Sequence, residues 1–162
     1  MSKGFAVVNT SPLIYLARSG HLDLLRIAHE PVVVPEAVVQ EIKQGSQFDK
    51  AMDAINSHAW LKIVPDGPIP KVVTDRDLGP GESAVIAYGL ARPGMTVIVD
   101  DRAARRLATS LGLPLRGTLG LVLLAKRDGR IAAARPIVMQ LVDAGMFLSS
   151  DVLDQALLLV GE

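Results

Sequence analysis

The stretch "FAVVNTSPLIYLA", residues 5–17, decides the fold. Its opening apolar run shows no polar alternation and reads as a strand buried on both faces. Three polar residues follow, then Pro12 and a renewed apolar stretch. Thr10 or Ser11 can cap a helix, Pro12 suits its first turn and Gly20 ends it. A buried strand therefore hands over to a helix at Asn9, where a carboxylate would be the more obvious chemical choice.

Working outward, the same alternation recurs. "HLDLLRIA" (21–28) continues as a short helix, "PVVVP" (31–35) is a second buried strand, and "PEAVVQEIKQG" is a helix from Pro35 to Gly45. Another helix, "FDKAMDAINSHA" (48–59), precedes a strand in "WLKIV" (60–64). The proline- and glycine-rich "PDGPIPKVVTDRDLGPG" (65–81) reads as a long loop. Helix "ESAVIAYGLA", strand "TVIV", helix "DRAARRLATSLG" and a short "LPLRG" come next, and the end is helical from "TLGLVLLAKRDG" through "ARPIVMQLVDAG" to "SDVLDQALLLV". Strands separated by helices imply a central parallel sheet covered on both faces, a three-layer α/β/α sandwich. No repeat or linker divides the 162 residues, so a single domain over 1–162 is expected.

Composition narrows the classes. Lys+Arg and Asp+Glu both number 17, so any basic patch must be local. The absence of cysteine excludes disulfide and thiolate chemistry. No charged-then-apolar leader opens the sequence and no apolar run reaches spanning length, so a cytoplasmic protein without a membrane partner is expected. Hydrophobic residues make up 49% and aromatic ones 4%, which demands an aliphatic core; the surplus suggests a self-association surface.

In parallel sheets, ligands bind outside the carboxyl ends of the strands. Asn9 ends the first strand, and Asp100 and Asp101 end "TVIV". On the helix after the second strand, Val38, Val39 and Ile42 form the inner face and Glu41 lies at its border. Glu82 heads an inward row with Val85, Ile86 and Gly89, and Asp101 heads one with Ala104 and Ala108. Arg102, Arg105, Arg106 and Thr109 share the outer face of that last helix. Taken singly, each acid has a plain structural explanation, because first helical turns favour carboxylates and strand ends favour Asn. Their convergence on one sheet edge points to a site, and a metal ion is one way to offset the cost of inward-facing charge.

Other chemistries are not supported. His21, His29 and His58 lack metal-ligand spacing, and helix or loop surface is expected for all three. Ser83 has no nucleophile elbow around it, and "LGPGES" lacks the lysine of a phosphate-binding loop.

The segments "VVNTSPLIYLARSGHLDLL", "VVVPEAVVQEI", "LGPGESAVIAYGLA", "VIVDDRAARRLATSLGLPLRGTLGLVLLAKRDGRI" and "GMFLSSDVLDQAL" cover nearly the whole chain. In this order they resemble the PIN-domain family of metal-dependent ribonucleases, which includes the VapC-type toxins of toxin–antitoxin pairs. The resemblance implies an acidic site at Asn9, Glu41, Glu82 and Asp101, with Asp100 accessory, the same residues that the sheet edge picks out. The departure is Asn9, where family nucleases usually place Asp.

That resemblance implies hydrolysis of RNA assisted by Mg²⁺ or Mn²⁺. Glu82 and Asp101 would be the ligands, with Asp100 and the amide oxygen of Asn9 as further candidates, and Glu41 would position or deprotonate the attacking water. Ser11, Arg102, Arg105 and Arg116 are the candidate RNA contacts, and Lys126, Arg127 and Arg130 form a second basic cluster. A homodimer or higher homo-oligomer and a cognate antitoxin are the implied partners. The alternative is a weakened or inactive PIN-like module that binds RNA or a protein.

Overall fold

A computed structural model describes residues 4–27, 29–45 and 48–162, with the backbone alone at 48 and 49. Strand β1 (Gly4–Val8) leads into α1 (Thr10–Ser19), a short 3₁₀ helix (Leu22–Arg26) and β2 (His29–Pro35). Helices α2 (Glu36–Gln44) and α3 (Phe48–Ser57) precede β3 (Leu61–Val64). After α4 (Lys71–Thr74) and α5 (Pro80–Leu90) come β4 (Thr96–Ile98), α6 (Arg102–Ser110) and β5 (Leu115–Arg116). The remainder is α7 (Thr118–Arg127), α8 (Arg135–Asp143) and α9 (Ser150–Leu158).

The strands form one parallel sheet in the order β3-β2-β1-β4-β5. Successive residues of a strand face opposite sides, and Ala6, Val7 and Val8 are all at 0% exposure, so both faces of β1 are covered. The same holds for Val97, Ile98 and Val99, and the architecture is the expected α/β sandwich. The chain moves outward from β1 through β2 to β3, then returns to place β4 on the other side of β1. This reversal opens a crevice between the carboxyl ends of β1 and β4, where such sheets bind ligands. Asn9 and Asp100 lie on either side of it. Asn9 N–H continues the ladder to Ile98 O at 2.9 Å.

Local chemistry adjusts several boundaries. Neither Thr10 nor Ser11 caps α1: Asn9 takes the N-cap position, with φ −83° and ψ 172°, and its side chain makes no capping bond. Pro35 lies just outside α2 as its N-cap residue, and Trp60 precedes β3. The loop expected over 65–81 contains α4, a single turn started by Pro70 and pinned by fully buried Val73. Helix α5 begins at Pro80, two residues before the apolar row, because proline's fixed φ suits a first helical position. Ala28, the end of the "HLDLLRIA" segment, lies outside the described residues.

Helix α5 sets the depth of the site. It packs on β1, β2 and β4. A Cβ at Gly89 would stand 2.6 Å from Val97 Cγ1, so glycine there lets the helix approach β4 closely. The opposite end of α5 carries Glu82 to the crevice. Among the described residues, no helix is long and apolar enough to cross a membrane.

Candidate functional site

Glu41 is the hub of the carboxyl edge. Its Oε2 accepts from Thr10 Oγ1 at 2.7 Å, and its Oε1 accepts from Gly81 N–H at 2.7 Å. Gly81 belongs to the first turn of α5, whose N–H groups have no intrahelical partner. A carboxylate on α2 thus satisfies α5 and complements its positive end. At Gly81 a Cβ would stand 2.6 Å from Glu41 Oε2, so a side chain would displace the carboxylate. One acid ties α1, α2 and α5 together with both its oxygens engaged.

Glu82 is the next residue, and its situation is the reverse. Its carboxylate has no hydrogen-bond or ion-pair partner among the described residues, and it lines a cleft of about 730 Å³. A Cβ at Gly79 would stand 2.6 Å from Glu82 Oε2 and 3.8 Å from Glu41 Oε1, so the two carboxylates converge on the "GPG" turn. Asn9 lies 1% exposed, and its Oδ1 has no hydrogen-bond partner. A buried acceptor left in this way costs on the order of 1–3 kcal/mol, so folding alone does not account for it.

The two aspartates divide in the same fashion. Asp100 is fully engaged: Oδ1 accepts from Thr118 N–H at 2.7 Å and Oδ2 from Thr118 Oγ1 at 2.6 Å. It caps α7 from outside that helix, and it also lines the cleft. Asp101 is the N-cap of α6, with Oδ2 accepting from Ala104 N–H at 2.9 Å. It is exposed and lines the cleft beside Glu82.

Arg105 lines one cleft with Arg102, Arg106 and Thr109, its expected companions on that face, but is less exposed than they are. It folds back, half-buried, and its Nη1 donates to Val99 O at 3.0 Å. Arg105 Nη1 and Asp100 Oδ1 both crowd the place a Cβ would take at Gly117, at 2.5 and 3.1 Å. Arg116 and Ser11 line the same cleft, whereas Arg102 and Arg106 stand exposed along an adjoining cleft of about 1000 Å³. Both clefts share Asp100, Arg105, Leu115, Phe147, Leu148 and Val152.

Phe147 is a lining residue that composition and spacing do not single out. The signal available was a lone aromatic in the short polar-flanked "GMFLSS".

The histidines stand apart from these clefts. His29 is not a surface residue but lies in β2 at 5% exposure, its Nδ1 without a partner, and burial holds its pKa below the ordinary value. His21 bonds Gln140, and His58 shares a hydrogen bond with Ala54 O at 2.8 Å while meeting the Trp60 ring edge-on. Trp60 is buried, with the Arg26 guanidinium 5.2 Å from its centroid.

Among the described residues, no three acidic or histidine side chains gather closely enough to hold an ion by themselves. The donors that remain are hard oxygens: the Glu82 carboxylate, the second oxygen of Asp101 and the orphaned amide oxygen of Asn9. That set fits Mg²⁺-like coordination, in which one or two carboxylates hold the ion and water or substrate phosphate completes the shell.

A family model described as a PIN domain matches residues 5–162, and the chain belongs to that family. No curated protein matches it.

Proposed function

We propose that this PIN-domain chain is a metal-dependent ribonuclease whose working carboxylate is Glu82. The observation that carries this reading is the contrast at the "GPGE" turn. Both oxygens of Glu41 accept hydrogen bonds, while Glu82, one residue from Gly81, has no partner among the described residues and lines the cleft.

Glu82 and Asp101 would hold Mg²⁺ or Mn²⁺, with Asn9 Oδ1 as a neutral third oxygen. When bound, such an ion supplies positive charge against the phosphate oxygens and a more acidic water. The chain's own residues orient the substrate. Arg116, Arg105 and Ser11 line the cleft; the guanidinium groups would grip phosphate there, and Ser11 would offer a hydroxyl at its wall. Glu41 acts as a positioning residue, since its two hydrogen bonds fix the turn that presents Glu82. Hydrolysis then adds water across one P–O bond: one product keeps the phosphate and the other leaves with the proton on its oxygen.

Asn9 is the weak point. An amide oxygen brings no charge, so Asn9 would hold an ion less tightly than a carboxylate at that position. A second reading, a module that binds RNA without cleaving it, draws on the lack of a three-acid cluster among the described residues. Cleavage of RNA with Mg²⁺ or Mn²⁺ by the native chain, Asn9→Asp and Glu82→Gln separates the two. Activity lost in Glu82→Gln and raised in Asn9→Asp supports the nuclease. If none of the three cleaves while RNA still binds, the binding module stands. The toxin version adds growth arrest on expression, relieved by Glu82→Gln and by co-expression of a cognate antitoxin.

A further inference from the structure

Phe147 is 92% exposed, the most exposed of the large apolar side chains among the described residues. Its surroundings are not loose. Gly145 turns the chain with φ +115°, and Met146, at 7% exposure, donates its N–H to Leu141 O at 3.0 Å. Leu148 packs against the core, and Ser149 caps α9 through Val152 N–H at 3.3 Å. Anchors on both sides therefore hold the ring out in water, where leaving a Phe side chain costs about 1.5–3 kcal/mol relative to burial.

The ring stands where the two clefts meet. Glu82 and Arg116 line one cleft, Arg102 and Arg106 line the other, and Arg105 lines both. A flat apolar surface flanked by guanidinium groups matches one chemistry well: a nucleobase with a phosphate on each side. An apolar protein partner laid over the ring would also have to cover the Arg102, Arg105 and Arg106 side chains that line the same cleft. Bases in a duplex do not present their faces, so the fit is to single-stranded nucleic acid.

We propose that Phe147 is a stacking platform for an unpaired base next to the phosphodiester held at Glu82. The identity of the nucleic acid as RNA rests on the ribonuclease reading; the stacking role does not depend on cleavage.

The test measures binding in chelator, where no cleavage can occur, with a short single-stranded oligouridylate carrying one aminopurine. Native protein should bind it and quench the aminopurine. Phe147→Ala should weaken binding about 5- to 100-fold and abolish the quenching. Phe147→Trp should restore both, and Phe147→Leu, apolar but not flat, should restore neither. Equal affinity of Phe147→Ala and native protein, rescue by Leu, or no binding by native protein would each overturn the proposal. So would equal binding of a duplex of the same length. A change in oligomeric state in Phe147→Ala with unchanged RNA affinity would assign the ring to a protein interface instead. Parallel cleavage assays with Mg²⁺ keep the two ideas apart. Cleavage without a Phe147 effect on binding defeats only the stacking role, and stacking without cleavage defeats only the nuclease.

Discussion

Glu41 and Glu82 approach the same glycine turn from two helices and face opposite fates. Glu41 accepts from Thr10 and from Gly81, and both its oxygens serve the scaffold. Glu82 accepts from nothing among the described residues and opens onto the cleft. Asp100 and Asp101 repeat the division: Thr118 takes both oxygens of the first, while one backbone N–H takes a single oxygen of the second. Carboxylates that accept from other elements on both oxygens tie the fold together. Under the function proposed above, those left short of donors take the ligand, so the same difference would divide scaffold from site within one acidic patch.

The largest effect should come from Glu82→Gln. Cleavage is expected to fall at least ~100-fold, while urea midpoints stay within about 0.5 kcal/mol of native, since no hydrogen bond is lost. A large drop in stability would break the comparison, because it would make Glu82 a scaffold residue too. Glu41→Ala is the mirror image. It strands the Thr10 hydroxyl and the Gly81 N–H, and should cost about 2–3 kcal/mol in urea unfolding. Gly81→Ala should lower stability in the same direction, because its Cβ would stand 2.6 Å from Glu41 Oε2.

Asn9→Asp sharpens the contrast through the ion. A carboxylate at a position 1% exposed and without a partner should lower stability in chelator by about 1–3 kcal/mol. Added Mg²⁺ or Mn²⁺ should restore it in thermal melts, by mass action. The native chain should respond much less. A variant indifferent to the ion would remove Asn9 from the site.

Thr118→Val tests the Asp100 half of the division. Loss of the hydroxyl leaves Asp100 Oδ2 without its donor and should destabilise the chain by about 1–2 kcal/mol. Cleavage by the remaining folded protein should change little. The smallest effect concerns a group outside the patch. Burial lowers the pKa of His29 from its ordinary 6.5, so the unfolded chain takes up a proton that the folded chain refuses. The associated stability is complete above 6.5 and is lost as pH falls from there toward the folded pKa. His29→Leu should flatten that part of the pH–stability curve.

Much of this was legible in the sequence, and particular residues show where legibility stopped. The runs "FAVV", "PVVV" and "TVIV" announce buried parallel strands because both faces of each strand must be apolar. Helical periodicity placed Glu82 at the head of an inward row, and the row is buried as drawn. Periodicity put Arg105 on one face with Arg102, Arg106 and Thr109 but did not reveal that its guanidinium turns back to Val99 O, because spacing gives a direction for Cβ and not for the end of a long side chain. Phe147 stayed hidden for a related reason: a single aromatic in a short turn has no period to reveal whether it points in or out.

The sequence by itself determined the sheet, its helical cover and the edge on which polar residues collect. These follow from patterns confined to one strand or one helix, where apolar burial dominates and spacing reports it. Only the tertiary structure decided which acids are committed and which are free. The deciding bonds join residues 31, 40 and 18 positions apart, from Thr10 to Glu41, Glu41 to Gly81 and Asp100 to Thr118. A hydrogen bond needs its partners within about 3 Å, and no local pattern encodes an approach between separate elements to that tolerance.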